Sequence, residues 1–284
     1  MVAILGGLGA AVCWAGATLS ASRSSRMISP SSVLAWVMLT GLVITLPLLM
    51  LSGIPAGLGW GSGGWLVATG ASNVVGLLFV YAALRTGKVG VVAPISSTEG
   101  SMAAIIAVLL GERIAPAAGA LLLVIAAGIT LSAVTRDTGH EGLHAPNRRA
   151  ALLALSAALC FGLSLYAGGR AGQELPVAWV LLPARLAGVL GVALPLLLTR
   201  RLQLTRPALP LVLASGVFEV LGLSAYVLGA RDGIAITAVV SSQFAAISAL
   251  AALVLFRERL VPIQYGGLAV IAMGVAALAV VGSR

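Results

Sequence analysis

Two eight-residue stretches of this chain follow the same pattern, and this repetition decides the fold. Residues 109–116 read Leu-Leu-Gly-Glu-Arg-Ile-Ala-Pro, and residues 255–262 read Leu-Phe-Arg-Glu-Arg-Leu-Val-Pro. The copies are 146 positions apart, and the same offset aligns residues 85–116 with residues 231–262 at nine identities in 32 positions. Some identities arise by chance in a chain rich in alanine, leucine and valine, but Glu-Arg followed by proline at one offset does not. The chain therefore contains an internal repeat.

The composition places most of the chain in a lipid bilayer. Of its 284 residues, 60% are hydrophobic and 9% are charged, and the mean hydropathy is +1.10. An average soluble domain carries about 25% charged residues, so this chain has too few polar side chains for a water-exposed surface. Disorder, a secreted disulfide scaffold and a cytosolic enzyme are excluded. The net charge of +9 does not indicate nucleic-acid binding, because the basic residues form short clusters between apolar runs, as in loops at an anionic membrane surface.

A transmembrane helix needs about 20 mostly apolar residues, and this rule predicts ten of them. The alternating apolar and polar pattern of a β-barrel is missing from the sequence, so we predict an all-α integral membrane protein. The longest connection divides the helices into five and five, which gives a first repeat at 1–135, a linker at 136–149 and a second repeat at 150–284. The predicted segments are 2–21, 32–51, 64–84, 90–110, 115–135, 150–168, 177–198, 208–229, 234–255 and 262–281.

The two repeats are expected to have opposite orientations in the membrane. Each contains five helices, and because five is an odd number the second copy enters the bilayer from the other side. Inverted repeats of this kind build two gates around one central site in many secondary transporters. The predicted fold is therefore a 5+5 inverted repeat.

Particular residues connect this repeat with a known family. The first copy contains Tyr-Ala-Ala-Leu at 81–84, Gly87 and the stretch 109–114, with Pro116 opening the next helix. The second copy repeats the pattern over residues 233–260. In these motifs the chain resembles the drug/metabolite transporter superfamily, and more narrowly its EamA-type ten-helix exporters.

The resemblance implies secondary active export of small metabolites such as amino acids, by alternating access around a midplane cavity. Helices five and ten would then stand apart from that cavity. We expect a multi-pass protein of a bacterial inner membrane, monomeric or homodimeric, without cofactor or metal. Its expected partners are a small-molecule substrate and the lipid bilayer, with protons as a candidate coupling ion. A passive channel is an alternative, and it predicts flux without counterflow.

Three ionised side chains lie deep inside predicted spans, namely Glu99, Arg185 and Glu219. A charge at this depth costs at least about 2.5–3.5 kcal/mol, so such residues face a partner or water. Two carboxylates and one guanidinium fit an ion pair plus a second acid that can take up a proton. We predict that Arg185 pairs with one of the two glutamates or anchors a substrate carboxylate, with a purely structural ion pair as the alternative. We expect Glu219 to be the acid on which transport depends most.

Polar residues near these charges extend the candidate site. Ser215, Glu219, Gly222 and Tyr226 fall on one helical face, and the repeat aligns Asn73 with Glu219. Serines and a glutamine in helices four and nine, and a tryptophan near the middle of helix one, complete the set. The alternatives are packing by small residues, serines bonded to their own helix carbonyls, packing for the tryptophan and a membrane-interface position for the tyrosine. The predicted substrate and coupling residues are Glu219, Glu99, Arg185, Asn73, Gln243, Ser215, Ser96, Ser242, Trp14 and Tyr226.

A zinc-protease motif also occurs in the sequence. Residues 140–144 read His-Glu-Gly-Leu-His and match the H-E-x-x-H pattern. That chemistry needs both histidines on a stable helix, a third ligand and a walled cleft, whereas this segment contains glycine and is followed by Pro146. A membrane-embedded hydrolase that uses these linker residues remains the alternative, but we predict that the chain is not an enzyme.

Two glutamates of the repeated stretch have a predicted structural role. Glu112 and Glu258 precede the prolines that open helices five and ten. We expect them to stabilise helix N-termini through the helix dipole and to pair with the adjacent arginines.

The basic residues predict the orientation. The face formed by connections 1–2, 3–4, 5–6, 7–8 and 9–10 carries 12 of the 17 basic residues, the face of the termini carries 4, and Arg185 lies within the membrane. The positive-inside rule then places both termini outside the cytoplasm. The family resemblance implies the reverse, and we follow the charge count.

Overall fold

The structure, a computed structural model, describes residues 1–86, 95–132 and 145–244, and scattered positions between 246 and 277. Regular structure in this part is entirely helical, without strands, so the predicted all-α class is confirmed. The helices are α1 (Val2–Ser24), α2 (Pro30–Ser52), α3 (Trp60–Thr86), α4 (Glu99–Leu109), α5 (Pro116–Ser132), α6 (Ala145–Glu174), α7 (Val177–Gly188), a π-helical turn (Val189–Ala193), α8 (Leu194–Leu198), α9 (Leu209–Ala230) and α10 (Ile234–Ser241).

Six helical segments of the described part are long and apolar enough to cross a membrane. They are α1, α2, α3, α6, α9 and the continuous segment from α7 to α8. Large apolar side chains are exposed along them, as expected of surfaces that face lipid. Most of the tenth predicted segment, residues 262–281, lies outside the described residues.

Local sequence signals explain where α2 and α8 begin. Ser29 is the N-cap of α2, its side chain accepts a hydrogen bond from Ser32 N, and Pro30 occupies the first helical turn, where its missing N–H is harmless. The segment from α7 to α8 passes through a π-helical turn just before Pro195. Because Pro195 has no N–H for the carbonyl of Gly191, the α-helical hydrogen-bond pattern is interrupted there.

Helices of the first half of the chain pack against helices of the second half. α1 packs along α9, and α3 packs along α6. α10 contacts α1 and α4, α4 contacts α6, and α2 lies between α7 and α9. The buried core between these helices includes Tyr166, Val180, Tyr226 and Ile234. The middle of the molecule is therefore lined by helices from both halves.

Candidate functional site

A buried arginine and a partly exposed glutamate lie side by side between α7 and α9. Arg185 is 1% exposed and Glu219 is 31% exposed, and Arg185 Nη2 lies 3.7 Å from Glu219 Oε1. Each residue lies near the middle of its membrane span. Of the two glutamates predicted as partners, the structure therefore brings Glu219 to the guanidinium.

Helix α2 shapes the surroundings of Arg185. Arg185 Nη1 lies 3.6 Å from the thioether sulfur of Met38, which is a weak acceptor. A Cβ atom at Gly41 would lie 2.8 Å from Arg185 Cδ and 2.9 Å from its Nε. The guanidinium therefore lies against a notch in α2 that any larger residue at position 41 would fill.

Glu99 supplies the third charge of the candidate site. It is half-buried at the start of α4, and its carboxylate is close enough to that of Glu219 for the two to repel each other. Two acids and one guanidinium thus share one region, which carries a net charge of −1 when all three are ionised. This arrangement favours uptake of a proton or of a cationic group.

Trp14 lies on α1 directly opposite α9. Its ring stacks on Tyr226 with centroids 6.0 Å apart and meets Phe244 edge-on at 6.2 Å. A Cβ atom at Gly222 would lie 2.6 Å from Trp14 Cδ1 and Nε1. Gly222 therefore makes room for the indole, one helical turn (about 5 Å) from Glu219.

Three predicted residues have hydroxyl groups that bind backbone carbonyls. Tyr226 Oη donates to Leu165 O at 2.9 Å, Ser215 Oγ donates to Ala17 O at 3.0 Å, and Ser242 Oγ donates to Ala238 O at 3.0 Å. Tyr226 is 0% exposed, so its side chain is packed inside the protein. Ser242 bonds to its own helix, as the structural alternative holds, and the other two hydroxyls join neighbouring helices.

Glycines flank Asn73 and Glu219 at the same spacing. The apolar length of the spans does not reveal this pattern. Residues 70–76 and residues 216–222 both begin and end with glycine and carry the polar residue in the middle. The offset of 146 that aligns Asn73 with Glu219 also aligns the glycines on both sides of them. Each glycine lets a neighbouring helix approach α3 or α9. The four glycines face, in order, Pro183, Phe161, Thr40 and Trp14.

Four predicted site residues carry buried polar atoms that are not hydrogen-bonded within the described part of the chain. They are Trp14 Nε1, Ser96 Oγ, Gln243 Nε2, and both Nε and Nη2 of Arg185. More than about 90% of buried polar groups in proteins are paired, and each exception needs an explanation. Asn73 is half-buried on α3.

A concave region lies at the helix ends near the amino terminus. This cavity of about 520 Å³ is lined by Arg113, Arg170, Arg231, Glu112 and Asp232, among others. Arg231 donates from Nε to Gly172 O at 2.7 Å and from Nη2 to Leu175 O at 3.2 Å. Two donors of Arg231 thus bind carbonyl groups at the end of α6 and are not directed into the cavity.

Glu112 does not serve the helix that follows it. Its carboxylate accepts a hydrogen bond from Ala235 N at 3.2 Å, at the start of α10 in the other half of the chain. Burial raises the pKa of the Glu112 carboxyl, while the N–H groups of Ala235 and Ile234 and the Arg170 guanidinium act in the opposite direction. The predicted role at a helix N-terminus is present, but the expected helix was wrong. Glu258 lies outside the described residues.

A metal centre finds no support in the described residues. They contain no group of three or more His, Cys, Asp or Glu side chains that could hold a metal ion. The motif at 140–144 lies outside them.

A buried ion pair amid six apolar spans defines a multi-pass helical membrane protein. Residues 1–134 match the model of the EamA-like transporter family, which is part of the drug/metabolite transporter superfamily. The resemblance predicted from the sequence is therefore confirmed over residues 1–134.

A solved structure shares the fold of the whole chain. It is described as a crystal structure of a protein, and it matches with a TM-score of 0.82 over 99% of this chain and 98% of that chain. The sequence identity is 20%, so the likeness concerns the fold alone. The comparison with curated proteins gives no match.

Proposed function

We propose that this protein is a secondary active transporter that exports small metabolites such as amino acids across a bacterial inner membrane. The observation that carries the proposal is the contact between Arg185 and Glu219 at the middle of two spans of a chain with an EamA-like first half. Charges at this depth are retained where a substrate or an ion has to be bound. The substrate would bind at the residues around this pair, with no cofactor.

Alternating access would follow from an inverted repeat of ten helices. Exchanging α1 with α6, α2 with α7, α3 with α9 and α4 with α10 maps the most extensive helix contacts of the described residues onto one another. The contact of α1 with α9 becomes that of α6 with α3, and the contact of α10 with α1 becomes that of α4 with α6. This exchange supports two halves of equal architecture, which is the arrangement that alternating access requires.

Two tryptophan contacts are related by the same exchange of helices. Trp36 on α2 donates its indole N–H to Gln203 O, which follows α8, at 3.0 Å. Trp179 on α7 donates to Gly53 O, which follows α2, also at 3.0 Å. Each half thus holds the other by one tryptophan, and the two contacts lie at opposite ends of the spans. Rocking between two states would strain them alternately.

Coupling to protons is part of the proposal. Glu219 is partly exposed while Arg185 is buried, and the Glu99 carboxylate repels that of Glu219. Binding a proton at either glutamate would relieve this repulsion. An outward-moving substrate could then be exchanged for an inward-moving proton.

The test is counterflow in proteoliposomes with a panel of radiolabelled amino acids. Wild-type protein should give saturable uptake that rises when unlabelled substrate is inside. Glu219→Gln should abolish the pH dependence and reduce the rate at least about tenfold, while Glu174→Gln, an exposed acid at the end of α6, should behave as wild type. Flux without counterflow would replace the transporter with a passive channel. Wild-type rates and pH profile in Glu219→Gln would remove Glu219 from the mechanism.

A further inference from the structure

The buried polar atoms of the site that make no hydrogen bond share one chemical property. Trp14 Nε1, Gln243 Nε2 and the two Arg185 nitrogens can only donate hydrogen bonds, and Ser96 Oγ can donate as well. Within the described residues, the site therefore has a surplus of buried donors. A ligand that satisfies them has to bring acceptors.

The two Arg185 nitrogens that make no hydrogen bond form one edge of the guanidinium. The N–H groups of Nε and Nη2 point in the same direction and make the side-on fork that binds both oxygens of a carboxylate. Nη1 is the atom already engaged, by Met38 Sδ at 3.6 Å. Glu219 Oε1 lies 3.7 Å from Nη2, beyond hydrogen-bond distance, so this carboxylate does not fill the fork.

The glycine at position 41 lets α2 approach the Arg185 side chain closely. A Cβ atom there would approach Arg185 Nε to 2.9 Å. Two further donors belong to the helices that pack on α9: Trp14 lies on α1, and Gln243 follows α10. Gly222 on α9, one turn after Glu219, is where Trp14 Nε1 approaches, and Gln243 precedes Phe244, which contacts the Trp14 ring. Ser96 lies one turn before Glu99.

We propose that the transported molecule carries a carboxylate, and that Arg185 binds its two oxygens through Nε and Nη2. Trp14 and Gln243 donate to the remaining acceptor sites of the same molecule. This assignment rests on the proposed transport function and deepens it, because it names the chemical group by which the substrate is recognised. Because the donors are buried in this conformation, the proposal requires a second conformation in which they are accessible.

The charges of the site allow a second recognition element. With the guanidinium committed to the ligand carboxylate, Glu219 and Glu99 are left with mutually repelling carboxylates. An ammonium group on the ligand or a proton would balance them. The carboxylate is the group that the surplus donors require, and either an ammonium group of the ligand or a proton compensates the two glutamates.

Four matched probes separate these groups. Leucine carries both the carboxylate and the ammonium, 4-methylpentanoate only the carboxylate, leucinamide only the ammonium, and 4-methylpentanamide neither. Binding to purified protein in nanodiscs is measured by thermal shift and by tryptophan fluorescence. The two carboxylates should bind at least about tenfold more tightly than their amides, as expected for charge-assisted hydrogen bonds.

Variants assign the preference to the named donors. Arg185→Gln should abolish it, and Trp14→Phe, which keeps the ring and removes the donor, should weaken carboxylate binding roughly tenfold. Arg206→Gln, in an exposed connection, is the matched control and should bind as wild type. If Arg185→Gln does not fold, the double variant Arg185→Gln/Glu219→Gln and Trp14→Phe still decide the question.

The outcomes separate this inference from the proposed function. Equal binding of carboxylates and amides, or binding of none of the four probes, overturns the carboxylate assignment. Saturable counterflow of leucinamide in the absence of a carboxylate preference would leave the transporter standing without this inference. A carboxylate preference without any counterflow would leave the site standing and contradict transport.

Discussion

At the residue scale, Arg185 depends on Glu219 for the compensation of its buried charge. Removing one member of a buried ion pair costs roughly 3–5 kcal/mol, and the lower end applies here because Glu219 is 31% exposed. Arg185→Ala should therefore reduce the folded yield and the melting temperature of the purified protein. Adding Glu219→Gln to Arg185→Ala should recover part of both. Equal recovery by Glu99→Gln would contradict the specific pairing.

The depth of charges could be predicted from the sequence, but their pairing could not. Ionised residues are rare in membrane spans, so Glu99, Arg185 and Glu219 are conspicuous in a chain with 9% charged residues. Which glutamate contacts Arg185 depends on how α4, α7 and α9 pack, and periodicity carries no information about that. The contacts of Gly41 and Met38 with Arg185 could not be predicted, because small and apolar residues are ordinary in a membrane helix.

At the scale of elements, Glu112 links the end of α4 to the start of α10. A carboxylate at a helix N-terminus contributes about 0.5–2 kcal/mol, so Glu112→Ala should lower stability by roughly 1 kcal/mol. The raised pKa of Glu112 means that the folded state resists ionising it. Below its ordinary value of 4.5 both states are protonated, and as the pH rises through the raised pKa this carboxyl makes a growing unfavourable contribution to stability.

Thermal melts of wild type and Glu112→Gln between pH 4 and pH 7 isolate this contribution. The glutamine keeps an acceptor for Ala235 N but does not titrate. The difference in melting temperature should move in favour of Glu112→Gln as the pH rises. A difference that is independent of pH would show that Glu112 titrates alike in both states.

The elements were predictable to the extent that they depend on local composition. Apolar length identifies α1, α2, α3 and α9 within a few residues, because a span must match the thickness of the bilayer. α6 extends to Glu174, well past the predicted end at 168, because its last turns are polar and still packed. The partner of Glu112 was mispredicted because the N-terminus of α10 is brought to it by packing between the halves.

At the scale of the whole molecule, contacts assign the connections to two faces. The cavity lined by Arg113, Arg170 and Arg231 joins the connection after α4, the last turns of α6 and the connection after α9 on one face. The amino terminus lies there too, 3.5 Å from Asp232. On the other face, Ser29 N donates to Gln203 Oε1 at 2.9 Å, which joins the connection after α1 to the connection after α8. These contacts support the alternation of faces on which the charge count depends.

The charge count then predicts the orientation of these faces. The face of Gln203 belongs to the set of connections that carries 12 of the 17 basic residues, and such a face is retained in the cytoplasm.

In a background with Cys13→Ala and Cys160→Ala, Glu174→Cys and Arg206→Cys mark the two faces at exposed positions. A membrane-impermeant maleimide applied to intact cells should label Glu174→Cys at least about tenfold faster than Arg206→Cys, because the bilayer excludes a charged reagent. Permeabilised cells should label both, which controls for reactivity. The 520 Å³ cavity would then open to the outside of the cell. Labelling of Arg206→Cys alone would place the termini in the cytoplasm and reverse this assignment.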